Sequence, residues 1–148
     1  ITSLGSPEET IKQAHKVGIK VFCDVTDLRF AQKVEQLGAD AAIAVNNQAG
    51  GHRGNLSPEE LTNELSKALS IPLVIHGTSG IVDRDIRLLS ERDVAKFNVG
   101  TVLRKRFGSS LRSTLESNPE LFDRLSIMQK VIPDLKETAT KVIKLLGQ

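Results

Sequence analysis

The chain has 148 residues, of which 39% are hydrophobic and 26% charged, an ordinary balance for a globular protein with a real hydrophobic core. A net charge of only +2, five Phe and the lack of Trp and Tyr exclude a strongly basic, aromatic nucleic-acid surface. The longest apolar runs have the length of strands, which excludes a membrane-spanning helix. The single Cys23 cannot form an internal disulfide, so we expect a cytoplasmic protein.

Strand and helix patterns alternate along most of the chain. The apolar runs are short and unbroken, as is typical of parallel strands that are buried on both faces. Strands are expected at Ile1–Leu4, Ile19–Asp24, Ala41–Val45, Leu73–His76 and Val94–Val99. Helices are expected at 7–17, 27–37, 58–69 and 83–92, followed by two longer helices at 101–117 and 120–146.

Several residues mark the expected helix ends. Ser6 and Ser57 each precede a Pro-Glu-Glu sequence, which predicts a Ser N-cap with Pro at the first helical position. Gly18 and Gly38 stand where helix C-terminal glycines belong. Pro133 is expected to break or kink the last helix.

These elements predict an α/β fold of about five βα units in one domain, residues 1–148, with a helical tail from about residue 102. Strands added in chain order would make a partial (βα)₈ barrel with C-terminal helices. The alternative is a doubly wound, flavodoxin-like sheet with helices on both faces. In the partial barrel the inner sheet face needs a cover, either the helical tail or a second copy in a homo-oligomer.

A glycine turn follows the fourth expected strand and reads His76-Gly77-Thr78-Ser79-Gly80. Small residues let the backbone approach a phosphate with inward N–H groups, and Ser79 adds a hydroxyl donor. The turn lies at the carboxyl end of a strand, where α/β proteins bind ligands. The sequence therefore predicts a phosphate site, unless the glycines serve only to form tight turns.

The second half of the chain, from about 72 to 147, resembles the class II fructose- or tagatose-bisphosphate aldolases. The resemblance rests on the segments at 72–81, 94–101, Leu103-Arg104 and the tail at 118–123. It implies that His76 is a zinc ligand. It also implies a phosphate site at the following residues: Gly77, Thr78, Ser79, Gly80, Asn98, Gly100 and Thr101. The family commonly has Gly at the position of Thr78.

A catalytic zinc needs three protein ligands, and the chain has only two other histidines. His15 falls within a predicted helix at the wrong end of the sheet and is expected to face solvent. His52 is better placed, and Cys23 or Asp24 could contribute. The residues alone favour a hydrogen-bonded, structural His76 over a zinc ligand.

The first half, residues 1 to about 72, resembles a different family, the FMN-dependent nitronate monooxygenases. The most specific segment is Gln48-Ala49-Gly50-Gly51-His52-Arg53-Gly54. The resemblance implies that Gly50 and Gly51 line the flavin and that His52 is the base that deprotonates the nitroalkane. A glycine loop with a solvent-facing His is the simpler alternative.

Two resemblances that change near Ser70–Leu73 lead to the hypothesis of an engineered or recombined chimera of barrel fragments. In this hypothesis the chain has no complete active site and at most binds phosphate, sulfate or a phosphorylated small molecule. No resident cofactor is expected, and zinc and FMN rank behind phosphate. Neither nucleic acid nor a membrane is an expected partner. The alternatives are a zinc aldolase-type lyase and a nitronate monooxygenase.

Overall fold

Two units make up the part of the chain that is described by a computed structural model, which covers residues 5–49, 53–78, 81–91 and 94–147. The first unit is Ile1–Asn98 and the second is Val99–Gln148. The strand predicted at Ile1–Leu4 lies outside the described residues.

The first unit contains a parallel sheet whose strands neighbour one another in chain order. The strands are β1 (Phe22–Val25), β2 (Ala41–Ala44), β3 (Leu73–Ile75) and β4 (Val94–Phe97). Helices α1 (Glu8–Lys16), α2 (Leu28–Gln36), α3 (Pro58–Ala68) and α4 (Asp83–Ser90) alternate with them. The predicted α/β fold of barrel-type units is confirmed. Because the order never reverses, the doubly wound alternative is wrong.

The two faces of this sheet differ in their cover. Asp24, Ile43, Val74 and Lys96 are aligned across the four strands and therefore share one face. That face has a small buried cluster at its centre and a cavity of about 310 Å³ beside Phe22. The opposite face is fully buried at the following residues: Cys23, Val25, Ala42, Ala44, Leu73 and Ile75.

One of the two predicted serine N-caps is present in the structure and the other is not. Ser57 is the predicted N-cap of α3 and forms a capping box, in which its hydroxyl accepts from Glu60 N–H and the Glu60 carboxylate accepts from Ser57 N–H. The prediction that Ser6 caps α1 is wrong, since Pro7 occupies the N-cap position without a side-chain hydrogen bond. Gly18 and Gly38 adopt φ of +72° and +91° after their helices, as expected.

The second unit consists of two helices that pack against each other, α5 (Thr101–Ser117) and α6 (Arg124–Leu145). The Asp123 side chain caps α6 by accepting from Ser126 N–H at 2.8 Å. The sequence predicts that Pro133 breaks or kinks the last helix; it does not break α6, which continues on both sides of it, and the kink stays a prediction. Buried Val131 and the ion pair from Arg106 to Asp134 flank the proline, and packing of this kind offsets one lost backbone hydrogen bond.

None of the described helices is both long and apolar enough to cross a membrane.

A single carboxylate joins α2 to the segment that leads into β3. One oxygen of Glu35 accepts from Ser70 N–H at 2.7 Å, from the Ser70 hydroxyl at 2.8 Å and from Ile71 N–H at 3.2 Å. The hydrogen bonds from the Ser70 amide and hydroxyl hold the pKa of this carboxyl below its usual value. Glu35 thus fixes the chain two residues before β3 begins.

Replacing Glu35 with Gln should lower the free energy of unfolding at pH 7 by about 1–2 kcal/mol, because hydrogen bonds to a carboxylate are stronger than those to a neutral amide. Since the folded pKa is depressed, the stabilisation is complete above the unfolded pKa of about 4.3 and is lost as the pH falls through the folded value. Urea unfolding between pH 7 and pH 3 measures both effects. Exposed Glu64, replaced by Gln, is the matched control. An equal loss in both variants, or an unchanged pH dependence in Glu35→Gln, would contradict this assignment.

Candidate active site

The carboxyl ends of the strands form one edge of the sheet, which we call the carboxyl edge. Backbone hydrogen bonds there extend one residue beyond each strand. Val45 N–H donates to Val25 at 2.9 Å, and His76 N–H donates to Ala44 at 3.1 Å. Asn98 N–H donates to the carbonyl of Ile75 at 3.0 Å. His76 and Asn98 are therefore brought together at one edge, as the sequence predicts.

His76 begins the glycine turn directly after β3. It is half-buried, and its backbone N–H is fixed by β2. This backbone bond leaves the imidazole available for a ligand or for a structural hydrogen bond.

Gly77 and Thr78 form the described part of the predicted phosphate turn. Gly77 has a φ of +79°, which favours glycine, and apart from its two chain neighbours no described residue has an atom within 4 Å of where a Cβ would stand. Thr78 is 5% exposed, and its carbonyl accepts from Ile81 N–H at 3.1 Å. Ser79 and Gly80 lie outside the described residues. The described half of the turn thus has the open space beside the backbone that an anion requires.

The loop after β2 is closed by Asn46. Its carbonyl accepts from Ala49 N–H and Gly54 N–H, both at 3.3 Å, and its side-chain oxygen accepts from Gln48 N–H at 2.8 Å. Gly54 is required there, since a Cβ would stand 2.4 Å from the carbonyl oxygen of Val45. Both ends of the loop are thus held against the end of β2.

The residues that carried the flavin hypothesis, Gly50, Gly51 and His52, lie outside the described residues. Sequence reasoning missed the role of Asn46, which is 1% exposed and whose side-chain nitrogen has no hydrogen-bond partner among the described residues. The signal was an asparagine pair directly after an apolar strand, where a side-chain oxygen can cap a turn.

Gly100 and Thr101 belong to the second unit, where they begin α5. Gly100 is the N-cap and Thr101 the first helical residue, and no side chain caps this end. They follow Asn98 in the sequence by two and three residues. Their place in a phosphate site stays a prediction.

His15 lies at the other edge of the sheet, as expected. Its Nε2 is 2.9 Å from a carboxylate oxygen of Asp40, which also accepts from Val21 N–H at 2.7 Å. These two hydrogen bonds, that of Val21 first, lower the pKa of Asp40. His15 is exposed, as predicted, and it also pairs with Asp40. Its role is to help hold the amino end of β1.

A metal centre is not complete within the described ranges. No group of three His, Cys, Asp or Glu side chains that could hold a metal ion occurs there. Cys23 and Asp24 are consecutive strand residues and point to opposite faces of the sheet. Cys23 and Asp24 therefore cannot both bind one metal ion on the same face of the sheet.

Comparison with known proteins identifies one family along the whole chain. The family model for class II fructose-bisphosphate aldolase matches residues 2–148. The protein YdjI of Escherichia coli K12 is 34% identical over 119 residues, which are 79% of this chain and 41% of YdjI. This chain thus spans less than half the length of that curated relative.

Solved structures agree on the fold. The crystal structure described as the YdjI aldolase aligns with a TM-score of 0.70 at 30% identity, over 95% of this chain and 54% of that one. A candidate fructose-1,6-biphosphate aldolase from Coccidioides immitis aligns with a TM-score of 0.73 at 14% identity, over 95% of this chain and 56% of that chain. A nitroalkane oxidase from Streptomyces ansochromogenes aligns with a TM-score of 0.55 at 22% identity, over 66% of this chain and 31% of that one. At this identity, the last two show the fold alone.

The hypothesis of a chimera without a complete active site is wrong, because one aldolase family model covers both halves. The flavin and nitronate monooxygenase assignments for the first half are not supported either, since only a fold-level likeness to a nitroalkane oxidase remains. The match on both sides of residues 70–73, together with 34% identity to YdjI, shows that the chain belongs to the class II fructose-bisphosphate aldolase family.

Proposed function

We propose that the chain takes part in zinc-dependent aldol cleavage or condensation of a phosphorylated sugar. The observation that carries this is the position of His76. The chain belongs to the aldolase family, and its His76 follows β3 directly. The backbone N–H of His76 is hydrogen-bonded to the end of β2, where the loop that contains His52 begins. The loop that contains His52 and the turn that begins with His76 thus start at the same end of two neighbouring parallel strands.

The zinc site would draw on more than the described residues, which supply His76 but no set of three ligands. In this proposal His76 and His52 are two ligands and a third comes from elsewhere in the protein. Family membership takes away the reason to regard His52 as a base beside a flavin. When bound, zinc would polarise the carbonyl of the substrate.

The phosphate of the substrate would bind at the glycine turn. The open space beside Gly77 supports this, as do the buried Thr78 and the position of Asn98 directly after the next strand. Ser79 and Gly80, which lie outside the described residues, belong to the same turn. The assignment of Gly100 and Thr101 to phosphate binding rests on the family resemblance of their sequence alone. The family's printed description, a fructose-bisphosphate aldolase, agrees with a phosphorylated ligand.

The expected cytoplasmic location, the absence of nucleic-acid and membrane partners, and self-association through the sheet stay predictions.

Replacing His76 with Ala should abolish stoichiometric zinc binding, because zinc retains little affinity after losing one of three ligands. Replacing His52 with Ala should do the same. Zinc per chain after dialysis, measured by plasma mass spectrometry, tests both variants, and circular dichroism shows whether they fold.

His15→Ala is the control for zinc binding, since this histidine lies at the opposite edge beside Asp40. It should retain zinc. Unchanged zinc in His76→Ala, or equal loss in His15→Ala, would contradict the proposal.

Inorganic phosphate should raise the melting temperature, since a ligand that binds only the folded state stabilises it. At ten times Kd the gain is about 1.4 kcal/mol, or roughly 4–5 °C for a chain of this size. Replacing Thr78 with Val should at least halve this shift by removing a hydroxyl donor. Exposed Thr10, replaced by Val, is the control and should leave the shift unchanged. A shift that is the same in both variants would place the phosphate elsewhere.

A further inference from the structure

A cavity of about 310 Å³ lies on the face of the sheet that carries Val74 and Lys96. Its volume falls at the lower end of the range for small-molecule sites, roughly 300–1,000 Å³. The apolar part of its wall includes Phe22, Pro72 and Val74. Phe22 is half-buried and packs against the buried cluster at the centre of this face. A ligand in the cavity therefore meets an apolar surface that the sheet holds in place.

The cavity lies toward the amino ends of the strands. Lys20, Asp40 and Pro72, which line it, precede β1, β2 and β3. None of its described lining residues belongs to the proposed zinc or phosphate site. On β3 the lining residue Val74 comes two residues before His76, which is about 7 Å along a strand. The cavity is therefore a different place on the sheet from the carboxyl edge.

Three charged side chains line the cavity, and one of them already has partners. The Asp40 carboxylate accepts from Val21 N–H at 2.7 Å and lies 2.9 Å from His15 Nε2. Lys20 and Lys96 are exposed, and within the described residues no carboxylate lies within 4 Å of either ammonium group. Two ammonium groups and one carboxylate give the lining a net charge of +1.

The combination of an apolar wall and a small positive charge selects an amphipathic ligand. An apolar wall stabilises a hydrocarbon body because contact removes apolar surface from water. A net charge of +1 matches a single carboxylate better than a phosphate dianion. A sugar phosphate has a polar body that gains nothing from the apolar wall, so this cavity does not duplicate the proposed substrate site.

We propose that this cavity binds a small apolar carboxylate. The hydrocarbon body of the ligand lies against Phe22 and Val74, and its carboxylate pairs with the ammonium groups of Lys20 and Lys96. Binding requires neither zinc nor His76. The site is therefore independent of the proposed cleavage chemistry.

A chemical-shift titration of the nitrogen-15-labelled full chain with 4-phenylbutyrate tests the site at physiological ionic strength. Replacing Lys20 and Lys96 together with Gln should raise Kd at least tenfold. Replacing Lys33 and Lys67 with Gln removes the same charge from exposed positions outside the cavity and should change Kd less than twofold. Melting curves show that each double variant is folded before titration.

A ligand series on the unmodified chain separates the apolar and charged contributions. Butyrate keeps the carboxylate but lacks the ring, and 4-phenylbutylamine keeps the ring but carries a positive charge. Each should bind at least tenfold more weakly than 4-phenylbutyrate. His76→Ala, with the metal removed by a chelator, should leave the Kd of 4-phenylbutyrate unchanged, so this result is distinguishable from failure of the zinc proposal.

Four outcomes would overturn the inference. The first is no saturable binding of 4-phenylbutyrate. The second is an equal loss of affinity in the two double variants, which would indicate unspecific charge attraction. The third is 4-phenylbutylamine binding as tightly as the carboxylate, which would leave the lysines without a role. The fourth is competition by orthophosphate, which would place the ligand at the carboxyl edge.

Discussion

Parallel pairing of β2 with β3 is the constraint on which the proposed site depends. Ala44 is aligned with Ile75, so the residues that follow the two strands emerge at the same edge of the sheet. The bond from His76 N–H to Ala44 then fixes the glycine turn beside the loop that Asn46 closes. A slip of one residue would send His76 to the other face of the sheet and separate the two loops.

The type of each described element could be predicted from the sequence, because apolar periodicity reports burial directly. The capping box at Ser57 could be predicted as well, since its partner Glu60 is three residues away. Two expectations from the local sequence were not met. Pro7 rather than Ser6 is the N-cap of α1, and α6 is not broken at Pro133, which lies between buried and ion-paired neighbours. Likewise, the spacing of His15 gives no hint of its partner Asp40, which lies 25 residues away.

The family was only half predictable from local motifs. The glycine turn at His76 points to the aldolases, whereas the loop around His52 resembles a flavin enzyme. Both are glycine-rich loops after parallel strands, and similar backbone requirements favour similar residues in unrelated enzymes. The match over residues 2–148 covers both loops, so the family assignment rests on the whole chain and not on one short motif. Asn46 and Gly54, which hold this loop to the sheet, act through burial and close backbone contact.

The central claim is that the edge formed by β2 and β3 presents His76 and His52 to one zinc ion. X-ray absorption at the zinc edge of the zinc-loaded protein tests it most directly, since imidazole nitrogens bind at about 2.0–2.1 Å and give a recognisable scattering pattern. We expect at least two imidazoles around zinc in the unmodified chain. Fewer than two imidazoles around its zinc would contradict the assignment of His76 and His52 as ligands.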